Sequence, residues 1–73
     1  MDIVREYNII NQFFIMEEPC PSEIQNCQSL RNNYITANAN LKKQGGCYPC
    51  MHNNLRTNTI QAIKKNLVLE NAA

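Results

Sequence analysis

Apolar residues at Ile3, Tyr7, Ile10 and Phe14 recur at the three- to four-residue spacing of a helical stripe, with Asp2 placed as its N-cap. This pattern predicts a helix over residues 2–16. Val4, Ile9, Phe13, Ile15 and Met16 widen the stripe almost to the full circumference, which calls for burial on more than one side. Two roles follow: the main core helix, or a segment that docks on a partner through Ile10, Phe13 and Phe14. The Ile- and Phe-rich run from Ile9 to Met16 also has strand character.

Glu17, Glu18, Pro19 and Pro21 end this element, because proline withdraws a backbone donor and disfavours helix in the residue before it. A second helix is expected from Ser22, with Gln25 completing a capping box. Its inward positions are Ile24, Cys27, Leu30, Tyr34, Ala37 and Leu41. Lys42 and Lys43 suit its C-terminus, and Gly45 and Gly46 stop it, while Asn32, Asn33, Asn38 and Asn40 offer places for a break. A third helix is expected from the Cys50–Asn54 region to about Leu69, with Leu55, Ile60, Ile63 and Leu67 inward and Arg56, Lys64 and Lys65 in water. Asn71, Ala72 and Ala73 should fray.

Length then sharpens the picture. A chain of 73 residues is one small domain that buries a modest fraction of its surface, so a staple or a partner is expected. Within it, residues 1–18 form an apolar N-terminal segment, 19–69 a cysteine-paired helical body and 70–73 a tail. No run of about 20 apolar residues is present and the N-terminus lacks a basic segment followed by an apolar one, so neither a membrane partner nor a signal peptide is expected. The expected location is intracellular.

Charge is uneven. Asp2, Glu6, Glu17, Glu18 and Glu23 face only Arg5 in the first third, whereas Arg31, Lys42, Lys43, Arg56, Lys64 and Lys65 have no acid among them before Glu70. A basic body with an acidic head can contact phosphates through Lys42, Lys43, Arg56, Lys64 and Lys65, dock on copies of itself, or be a solvated surface. Only Tyr34 and Tyr48 supply rings in that region, which is sparse for a nucleic-acid surface.

The candidate chemistry lies in the cysteines. Cys20 and Cys27, then Cys47 and Cys50, form two pairs, the second a CxxC behind two glycines like the knuckle of many zinc modules. A four-thiolate Zn²⁺ site is the leading reading; an iron–sulfur cluster, disulfides and free thiols stand beside it, and His52 could replace one cysteine. An unbroken middle helix, at about 1.5 Å per residue, would hold Cys27 roughly 20–25 Å from the knuckle. One metal therefore requires the helix to break near its asparagines, which is the favoured arrangement. Otherwise the site is shared between chains, or the two pairs do different jobs. His52 is otherwise expected to be an exposed residue near a helix N-terminus.

The run Cys47-Tyr48-Pro49-Cys50 ahead of a helix also resembles the CxPC site of thioredoxin-type proteins, where the helix N-terminus activates the first thiol. In that fold the motif follows an apolar strand, and Leu41–Gly46 is polar and glycine-ended, so the pair is read as ligands and a thiol redox protein is the further alternative. No Ser/His/acid constellation, phosphate-cradling glycine loop or carboxylate pair is evident, and an enzyme is not expected.

Cys20-Pro21, the helix bearing Arg31 and Tyr34, and the run from Gly45 to Asn54 together resemble short cysteine-paired accessory proteins of tailed bacteriophages. The resemblance implies a small component of a larger particle, located in the host cytoplasm or a virion. The expectation is thus a mostly α, three-helix protein with a cysteine-rich, metal-stapled knuckle, acting as a structural adaptor on a larger protein assembly. A zinc-finger-type nucleic-acid regulator is the main alternative.

Overall fold

The computed structural model describes residues 2–68. Three helices carry the fold: α1 (Ile3–Phe13), α2 (Cys27–Gln44) and α3 (Tyr48–Lys65). α2 and α3 lie against one another as a helical hairpin, and the molecule extends 45 × 20 × 17 Å. The hairpin turns at Gly45 and Gly46, whose φ values of +75° and +83° suit residues without a Cβ.

α1 begins as its sequence predicts, with the Arg5 amide donating to Asp2 Oδ1 at 2.7 Å. It ends three residues early, at Phe13. The cause lies in another element. Arg31, on α2, donates to the carbonyls of Gln12 and Phe13, the acceptors that Met16 and Glu17 would need to continue the helix. The amides of Phe14 and Ile15 instead close short turns onto Asn11 and Gln12. The alternative strand over Ile9–Met16 is not formed.

The expected start of the second helix at Ser22 is also displaced. The Gln25 amide donates to the Asn66 carbonyl at 2.7 Å and the Val68 amide to Glu23 at 3.0 Å, so Ile24 pairs with Leu67 in an antiparallel bridge. α2 starts only at Cys27, after Asn26 turns the chain through a left-handed conformation (φ 59°) that asparagine tolerates. It then runs unbroken through Asn32, Asn33, Asn38 and Asn40.

α3 starts earlier than expected, at Tyr48, with Pro49 in its first turn where a missing amide costs nothing. Leu67 faces inward as expected, but from the bridge and not from the helix. α3 ends at Lys65 and not near Leu69 as expected, because Asn66 and Val68 are drawn into bonds with Gln25 and Glu23; the tail at residues 70–73 lies outside the described residues.

The core sits at the base of the hairpin, opposite the glycine turn. Ile9, Ile10 and Phe13 of α1 close over Ile24, Cys27, Ile63 and Leu67, with Phe14, Cys20, Leu30 and Ile60 packed around them. Phe13 and Ile63 have no exposed surface. α1 is therefore the core helix that the first of its two sequence readings describes.

Candidate functional site: two unlike disulfides and an open helix face

The four cysteines form two disulfides, Cys20–Cys27 with Cα atoms 6.1 Å apart and Cys47–Cys50 with Cα atoms 5.4 Å apart, both ordinary spacings. This corrects the metal-staple expectation. The expected break in the middle helix does not occur, and at about 1.5 Å per residue the length of α2 separates the two pairs by roughly 25–30 Å. Cys20, Cys27, Cys47 and Cys50 therefore cannot share one ion within a chain, and each sulfur already has a covalent partner. Among the described residues no three His, Cys, Asp or Glu side chains are grouped to hold a metal. Of the arrangements the sequence left open, the structure has two separate pairs at opposite ends of the hairpin.

The two bridges differ in surroundings. Cys20–Cys27 ties the proline loop to the first residue of α2, with Cys27 buried in the core. Cys47–Cys50 stands at the far tip, where Cys47 is the N-cap of α3 and both residues are exposed. Beneath the tip, Tyr48 stacks on His52 with centroids 5.5 Å apart and its hydroxyl donates to Asn38 Oδ1 at 2.8 Å. His52 Nε2 and the Tyr34 hydroxyl share a hydrogen bond of 3.1 Å. His52 is thus half-buried and joins the two helices, in place of the exposed residue that its position suggested.

The expected docking residues Ile10, Phe13 and Phe14 do not form a surface. Ile10 and Phe13 are buried, and Phe14 is held edge-on between Phe13 and Tyr34 with the Arg56 guanidinium 4.1 Å from its ring centroid. What α1 leaves open is its first two turns. Ile3, Val4 and Tyr7 are 85, 70 and 64 % exposed. Beside them a groove of about 430 Å³ runs between α1 and α3, lined by Ile10 and Ile60 and by the charged Glu6, Arg56 and Lys64.

The five expected phosphate contacts do not converge. Lys42 and Lys43 lie at the tip end of α2, while Lys64 and Lys65 lie at the base end of α3. These ends are about 27 Å apart along the hairpin. Lys64 approaches Glu6 at 4.0 Å, and Arg56 is engaged with Phe14. No helix among the described residues is long and apolar enough to cross a membrane.

Sequence reading placed Arg31 among the basic residues and missed its burial. At 4 % exposure it lies in the core wall, donating to the carbonyls of Phe13 (3.0 Å), Glu18 (2.8 Å) and Gln12 (3.1 Å). The signal was its register: Cys27, Arg31 and Tyr34 follow i, i+4, i+7 on one face.

Comparison of the chain with protein-family models, curated proteins and solved structures finds no match.

Proposed function

We propose that this protein is a small structural adaptor that docks on a larger protein assembly through the open face of α1, as the resemblance to phage accessory proteins suggests for a virion. The observation that carries this reading is the unshared apolar triad Ile3, Val4 and Tyr7 beside the α1/α3 groove. Core burial by the other side of α1 fixes that triad in place, so a partner would meet a preformed surface and little ordering would be lost on binding. The apolar floor, with an edge of mixed charge where Glu6 stands beside Lys64, suits a helical segment with apolar anchors. In this reading the Cys20–Cys27 disulfide takes over the stapling role that the sequence assigned to zinc. The nucleic-acid alternative draws less support, since the basic residues are divided between the two ends of the hairpin.

Site-specific photocrosslinking in the producing cell tests the proposal. A photoreactive side chain at Tyr7 should give one discrete adduct that co-sediments with a large assembly, and the same group at Ile35, an exposed residue of α2, should not. No adduct from Tyr7, or the same adducts from both positions, would refute docking by α1.

A further inference from the structure

The two disulfides invite different chemistry, and we propose that Cys47–Cys50 is a reactive, reversible disulfide that exchanges with a dithiol, whereas Cys20–Cys27 is structural. Three observations converge on the tip. First, the CxxC pair is exposed at the end of the hairpin, with Gly45 and Gly46 on its approach and no core residue behind it, so an attacking thiolate has access. Second, Cys47 is the N-cap of α3, with no side chain capping that end and no acidic residue in the first turn. The Tyr48 and Met51 amides are bonded to Gly46 and Cys47 and Pro49 has none, so the Cys50 amide and the positive end of the α3 dipole favour a thiolate on Cys47 when the mixed disulfide is resolved, making it a good leaving sulfur in that step. Third, the nearest charges are cationic: Lys42 and Lys43 close α2 at the same tip, and the sequence has no acid from Gln25 to Val68. His52 and Tyr48 lie one turn into α3, stacked on one another. The base pair shares the helix N-terminus, since Cys27 opens α2 behind an Asn26 cap that makes no side-chain hydrogen bond and no acid lies in that first turn, but it lacks the access: Cys27 is in the core and Cys20 is packed against it.

The exchange balances without a further oxidant. A substrate thiolate attacks Cys47 Sγ, the Cys47–Cys50 bond breaks, and Cys50 leaves as a thiolate that takes a proton from water. The second substrate thiol then attacks the substrate sulfur of the mixed disulfide and releases Cys47. Two electrons and two protons pass from the dithiol to the protein, one equivalent per chain. The fold tolerates the open form because the bonds from Tyr48 to Asn38 and from His52 to Tyr34 hold the helices together below the tip.

Oxidised full-length protein titrated with reduced glutathione, quenched with acid, alkylated and mapped by mass spectrometry tests this directly, with circular dichroism in parallel. Two glutathione thiols reduce one bridge and form one glutathione disulfide. Cys47 and Cys50 should become alkylatable at about a tenfold lower ratio of reduced to oxidised glutathione than Cys20 and Cys27, with helicity retained at that first step. In the single variants, each with one free tip thiol, oxidised glutathione should transfer one glutathione to Cys47 of Cys50→Ser, releasing one reduced glutathione, about tenfold faster than to Cys50 of Cys47→Ser. The proposal is overturned if the two bridges reduce together, if the base opens first, if helicity is lost with the tip bridge, or if the two variants react at equal rates.

Discussion

Arg31 Nε donates to the carbonyl oxygen of Phe13 at 3.0 Å, across 18 residues of sequence, and thereby decides where α1 ends. Its two terminal nitrogens take the carbonyls of Gln12 and Glu18, so one side chain serves three acceptors at the end of α1 and in the following turn, of which Gln12 also accepts from the Ile15 amide. The ring of Phe13 lies 5.7 Å from the same guanidinium, so the cap and the core are one unit. Replacing Arg31 by Met keeps the aliphatic stem and removes the donors. We expect a loss of about 2–4 kcal/mol in urea unfolding, because the buried Phe13 carbonyl and two part-buried ones lose charge-assisted partners. Arg31→Lys should recover part of this, since an ammonium cannot span the fork. Wild-type stability in Arg31→Met would show that the cap is dispensable.

The base disulfide is expected to matter more for stability than the tip. Cys20→Ser with Cys27→Ser should lower the unfolding free energy by about 2–3 kcal/mol from loop-closure entropy, with a further loss from placing a hydroxyl in the core. The paired Cys47→Ser, Cys50→Ser protein should lose less, because its loop is shorter and both positions are exposed. Equilibrium unfolding of the two double variants under oxidising conditions ranks them, and the reverse ranking would contradict the assignment of the base pair as the structural one.

Two isoleucines should respond differently. Ile63 is wholly buried, and Ile63→Ala should cost about 2–5 kcal/mol through lost transfer energy and the cavity left behind. Ile3 is 85 % exposed, and Ile3→Ser should change stability by no more than about 0.5 kcal/mol while abolishing the Tyr7 crosslink of the docking proposal. Thermal denaturation of both variants, with crosslinking of the second, checks the pair of outcomes.

Phe14 and Arg56 should be energetically coupled. With the guanidinium 4.1 Å from the ring centroid, a double-mutant cycle of Phe14→Leu and Arg56→Gln should return about 0.5–2 kcal/mol of interaction, since the pair is partly withdrawn from water. Additive single effects would mean that Arg56 is solvated and free for an anionic partner.

The helical class, the number of helices and most inward positions were legible in the sequence, because the period of apolar residues fixes which face of a helix can leave water whatever it packs against. Asp2 as a cap and Gly45-Gly46 as the turn were equally legible, each being set by residues within a few positions. The element boundaries were not. Phe13 ends α1 because of an arginine 18 residues away, and Ser22 fails to start α2 because the backbone at Glu23 and Gln25 is claimed by Val68 and Asn66. Such competition for backbone partners is long-range and leaves no local trace.

The cysteines show the same division. Two pairs, one of them a CxxC behind two glycines, could be read directly from the chain, but whether the pairs meet depended on whether α2 bends, and helix propensity summed over several asparagines is too weak to settle that. Packing against α3 settles it, holding α2 straight and the pairs at opposite ends. The sequence by itself determined which residues are apolar, which can turn and which carry sulfur, since these are local chemical properties. Only the tertiary structure decided that Phe13 is core, Arg31 a cap and Cys47–Cys50 an exposed tip, because burial is a property of what surrounds a residue.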